Sequence, residues 1–150
     1  MKTTAIAPWY GSARMNAEKI AARINAFNPK WVGIPFCGGC SEVPWIKCGQ
    51  ILAGDVHRHV INLCQVLASP GYGQILRDRV EGLLFHPDTL SEARRFIEHV
   101  EYMLPKENAA DYIAAKKIEW AAAYFTNCWM SRSDAGSSRE FDNGMSIRFT

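Results

Sequence analysis

Between Asn16 and Phe27 the apolar residues Ile20, Ile24 and Phe27 recur every three or four positions, with Ala17, Ala21 and Ala22 among them. This spacing predicts a helix over about 16–27, stopped by Pro29. The run "KWVGIPF" is short, apolar and bounded by turn residues, as a buried strand is. "CGGC" interrupts it, and "SEVPWIKC" can form only a short helical turn because Pro44 blocks anything longer. "GQILAGD" reads as a second short strand ending at Asp55. Val56, Val60, Leu63, Cys64 and Leu67 then mark one face of a helix. Helix, strand, glycine loop, strand, helix is the opening of an α/β unit with parallel strands.

The pattern beyond residue 70 is helical. "QILRDRVEGLL" keeps Ile75, Leu76, Val80 and Leu83 in register. The next helix has Asp88 as its candidate N-cap and Leu90, Ala93, Ile97, Val100 and Leu104 on one face. An Ala-rich helix comes next, capped by Asn108 or nearby, and its Trp120, Tyr124 and Trp129 read as core. Three successive helices without a strand predict an α-helical insertion packed on the α/β core. In the polar tail, Asn143-Gly144 is a hairpin signal, and Met145, Ile147 and Phe149 alternate with polar residues as in a strand. The sequence stops inside that strand, so the expectation is the N-terminal portion of a longer protein. The division expected is 1–69 for the α/β part and 70–150 for the helical insertion and the hairpin-like tail.

Composition narrows this picture a little. A chain of 150 residues that is 48% hydrophobic and 21% charged fits one globular domain. No apolar run approaches the roughly 18 residues of a membrane span, and "MKTTAIAPWYG" is too short in its apolar part for a signal peptide. The expected location is the cytoplasm, where the five cysteines would be reduced thiols. Residues 1–75 carry seven Lys/Arg against three Asp/Glu, and residues 76–150 carry ten against twelve. Such a balance gives no general attraction for nucleic acid, so any such role needs local contacts.

The stretch "PFCGGC" admits two chemistries. Cys37 and Cys40 have the spacing of half a zinc site, and Cys48 is a third thiol nearby. A second tight ligand pair is missing, and His57 and His59, two apart at a helix start, are expected to point in different directions. The other reading runs through the glycines. Asp55 lies seventeen positions after Gly38, close to the spacing at which nucleotide-binding α/β units place an acid for ribose hydroxyls. Glycines let a backbone approach a ligand without a Cβ in between. Asp55 can equally be the cap of the helix after it, and the two roles can coexist.

Several motifs taken in order resemble the Dam-like adenine-specific DNA methyltransferases, which use S-adenosylmethionine. "PWYGSAR" matches that family's P-W-x-G-G-K motif, "PFCGG" its strand-end glycine motif, and "DVHRHVINL" its acid-plus-helix motif. "YFTNCWMSRSDAGSSREFDNG" is similar to a later Tyr-Phe…Trp-Met-x-Arg segment. The resemblance runs from about Ala5 to the last residue. It implies a Rossmann-like methyltransferase core, present in part, with a helical insertion and a C-terminal hairpin-like segment. Residues 70–150 would then hold the insertion and the start of a target-recognition region. The resemblance implies S-adenosylmethionine as cofactor and DNA as partner, with no membrane. The donor-site positions carried over are Trp9, Gly11, Ala13, Pro35, Phe36, Gly38, Gly39 and Asp55. Trp9 would line the donor site, Phe36 to Gly39 would meet the methionine part, and Asp55 would hold the ribose. Arg132, Arg139 and Arg148 would approach DNA, or else decorate a solvated hairpin. The chain departs from the family in having Ala13 at the motif lysine and Ile34 at the glutamate before Pro-Phe. No two prolines are adjacent, so a D-P-P-Y tetrapeptide, which grips the flipped adenine, does not occur. No catalytic residue is therefore expected in this chain. The alternatives are an inactive cofactor-binding or protein-interaction remnant, and a small zinc module built on Cys37, Cys40 and Cys48.

Overall fold

The computed structural model describes residues 6–7, 13–107 and 109–131. A 3-10 turn, Ala13–Met15, leads into helix α1, Ala17–Ala26. Ala17 and Ala21 form its buried side. Its end is fixed by Asn25, whose side chain donates to the Trp45 carbonyl at 3.0 Å and accepts from the Lys47 amide at 2.7 Å. These bonds tie α1 to the short 3-10 turn Val43–Trp45, the helical turn expected around Pro44.

Strands β1, Trp31–Ile34, and β2, Gln50–Ala53, pair in parallel, with Trp31 opposite Gln50 and Ile34 opposite Ala53. The fold class is thus α/β with a parallel sheet, here of two strands among the described residues. The expectation of a buried strand is corrected. Both strands alternate exposed and half-buried positions, and Trp31 and Leu52 are 65% and 71% exposed. Trp31, Gln50, Ile51 and Leu52 line an open groove on that side. In a two-stranded sheet, the packed face is only partly covered and the other is bare.

Four helices build the main core: α2, Arg58–Ala68; α3, Tyr72–Glu81; α4, Pro87–Met103; and α5, Ala109–Met130. Val60, Leu63 and Val66 of α2, Leu76 of α3 and Ala121, Ala122, Tyr124 and Cys128 of α5 form one buried cluster, joined by Ala7. Helix α5 touches α2, α3 and α4. Its small residues Ala121–Ala123 let those neighbours come close, so its second half is buried on nearly every side. The N-cap of α4 is His86, whose Nδ1 accepts from the Asp88 amide at 3.2 Å, with Pro87 in the first helical position. The cap expected at Asp88 is thereby moved two residues upstream. Asn108, Asn143-Gly144 and the strand expected at 145–149 lie outside the described residues.

Candidate cofactor site at the glycine loop

Parallel pairing brings the ends of β1 and β2 side by side. The ladder runs on past them: the Gly54 amide donates to the Ile34 carbonyl at 2.8 Å, and the Cys37 amide to the Gly54 carbonyl at 2.9 Å. The loop after β1 therefore faces the residue after β2. Gly38 sits at φ 45°, a left-handed conformation that costs a residue with a Cβ roughly 1–2 kcal/mol. In that pose its amide donates to Asp55 Oδ2 at 2.9 Å. Asp55 Oδ1 accepts from the His57 amide, also at 2.9 Å, at the entry to α2. Asp55 thus does serve the helix start, and it also binds the glycine loop. The Ile6 amide donates to the Gly39 carbonyl at 3.1 Å, holding residue 6 against the same loop.

Cys40 is also left-handed, at φ 52°, which is uncommon for a residue with a side chain. Its Sγ lies 3.3 Å from that of Cys64 on α2. A second contact, to the Gly38 carbonyl, is longer at 3.8 Å, so the thiol pair is the stronger interaction. With Cys40 donating, its own ionisation is pushed up by that bond and by burial, while the same bond pulls Cys64 down against its burial. Burial likewise pushes Cys37 up, only partly offset by a hydrogen bond with Cys40. Cys37, Cys40 and Cys64 bring their sulfurs within 4.8 Å of one another. Cys48 stands apart, donating to the Gln50 carbonyl at 3.0 Å, so the thiol that joins the C-x2-C pair is Cys64.

Next to Asp55, α2 carries a buried polar relay. Trp120 Nε1 donates to His59 Nδ1 at 2.6 Å, which leaves Nε2 to donate to Glu101 Oε1 at 2.8 Å. His57 and His59 do not diverge as expected. Their rings lie 5.0 Å apart, and both meet the Tyr124 ring, because His57 precedes the helix with extended backbone. Burial, then the neighbouring His59, lowers the His57 pKa, and Asp55 opposes this. Burial raises that of Tyr124. Glu101 and Trp120 have no sequence signal linking them to His59, being 42 and 61 residues away.

Of the residues carried over by resemblance, Gly38, Gly39 and Asp55 meet directly or through their backbone neighbours. Pro35 and Phe36 form the turn after β1, with the Phe36 ring 80% exposed beside it. Ala13 begins the first 3-10 turn. Trp9, Gly11, Arg132, Arg139 and Arg148 lie outside the described residues. Trp120 and Tyr124 are core residues, as expected. No helix among the described residues is long and apolar enough to cross a membrane. No family model, curated protein or solved structure matches the chain.

Proposed function

We propose that this chain is the S-adenosylmethionine-binding part of a DNA adenine-N6 methyltransferase, built on a Rossmann-like core. The observation that carries the reading is the Gly38 amide bonded to the Asp55 carboxylate at 2.9 Å, across the ends of two parallel strands. Ligands of open α/β sheets bind beyond such strand ends. Asp55 has acceptor capacity left for the cofactor. Each Asp55 oxygen accepts one amide and keeps a second lone pair for a ribose hydroxyl. Gly38 and Gly39 are buried in the loop and add no Cβ to it, and Phe36 beside them offers an open aromatic face.

S-adenosylmethionine supplies, when bound, a methyl group on a positively charged sulfur. Asp55 would hold the ribose, and the bond from Gly38 fixes the glycine loop against Asp55 without any ligand. Ala13 lacks the ammonium of the family's motif lysine, so whatever that lysine does there is not done by residue 13. Trp9 would line the donor site, and Arg132, Arg139 and Arg148 would face DNA. With no D-P-P-Y tetrapeptide in the sequence, the purified chain is expected to leave DNA unmethylated.

Ultraviolet cross-linking of radiolabelled S-adenosylmethionine, with tryptic mapping of the product, tests the reading. Label is expected in the peptide 31–47, which contains the glycine loop. Label absent from 3–14, 31–47 and 48–58 alike would refute it.

A further inference from the structure

The thiols of Cys37, Cys40 and Cys64 form the one cluster of three metal-ligand side chains among the described residues. Their sulfurs lie within 4.8 Å of one another, two on buried residues and one half-buried. Cys37 and Cys40 come from the loop after β1, and Cys64 from the second turn of α2. Three sulfurs around one zinc ion at about 2.3 Å stand roughly 4 Å apart, so the cluster needs only small side-chain rotations to close on an ion. The left-handed backbone at Cys40 is what turns its sulfur to within 3.3 Å of Cys64.

We infer that Cys37, Cys40 and Cys64 form a three-thiolate site for Zn(II), with water in the fourth position. The choice of ion rests on charge. Soft thiolates select Zn(II) or Cu(I). Three thiolates leave a net charge of −1 around Zn(II) and −2 around Cu(I), in a half-buried place beside the Asp55 carboxylate. The divalent ion is therefore the better fit. On binding, each thiol loses its proton to solvent as its sulfur–zinc bond forms, and nothing is oxidised or reduced. Affinity accordingly falls with falling pH. The ion would pin the glycine loop to α2 on the thiol side, leaving the Asp55 oxygens unused. The site does not depend on the methyltransferase reading.

The test uses the full 150-residue chain, reduced and metal-free, titrated with Zn(II) against a chromophoric chelator. Wild type and Cys48→Ser are expected to retain a single ion per chain after dialysis, and Cys64→Ser to lose it. Co(II) in place of zinc should give the absorption of tetrahedral thiolate coordination. Should Cys64→Ser misfold, alkylation mapping of the wild type decides the matter. Zn(II) should protect Cys37, Cys40 and Cys64 while Cys48 stays reactive. No retained ion, undiminished binding by a folded Cys64→Ser, or zinc protection of Cys48 would each overturn the assignment.

Discussion

Trp120 and His59 show how much one hydrogen bond holds at the residue scale. Trp120→Phe keeps an aromatic ring and removes the Nε1–H that His59 Nδ1 accepts from at 2.6 Å. The expected loss is about 1–3 kcal/mol, read from urea unfolding. An unchanged midpoint would mean that the relay does not hold α2 to α5. His57 makes a pH prediction. Its folded pKa is below the ordinary 6.5, because burial disfavours the charged ring. As pH falls through 6.5, the unfolded chain takes up a proton that the folded chain resists. The contribution is therefore complete above that pH and lost below it, down to the folded pKa. Thermal melts between about pH 7.5 and 5 should fall less steeply for His57→Gln than for wild type, and equal slopes would contradict this. Sequence spacing could pair Gly38 with Asp55, since each ends a strand and parallel pairing brings strand ends together. It could not pair His59 with Glu101 and Trp120, because contacts across helices depend on how whole elements pack.

The elements were legible where the apolar period was strong. Helix α1 differs from its expected span by a residue at each end, and both strands fall within the runs that predict them. Some misreadings sit at element ends, where local polar groups compete. His86 caps α4 in place of Asp88, and Val56, expected on the α2 face, precedes the helix and is exposed. The apolar stripe of α2 is what docks it on α5, through Val60, Leu63 and Val66. Leu63→Ala removes a fully buried side chain from that seam and should cost about 2–5 kcal/mol. A loss under about 1 kcal/mol in denaturant melts would mean the seam collapses around the gap or is not packed as described.

On the scale of the whole molecule, stability is concentrated in the four-helix cluster, and the strand pair stands at its side with one face open. Leu52→Ser on that open face should therefore shift unfolding by no more than about 0.5 kcal/mol, against the large effect in the α2–α5 seam. A loss comparable to that of Leu63→Ala would show the face to be covered. An apolar run of this kind is buried in a complete sheet, and the run itself does not report how many neighbours it has. The function proposed for this chain turns on cofactor binding at that loop. Isothermal calorimetry of S-adenosylmethionine with the wild-type chain and with Asp55→Ala measures it directly. Binding is expected for the wild type, with at least about a tenfold loss in Asp55→Ala, or about 1.4 kcal/mol. Binding of equal strength to both proteins, or to neither, would contradict the proposal.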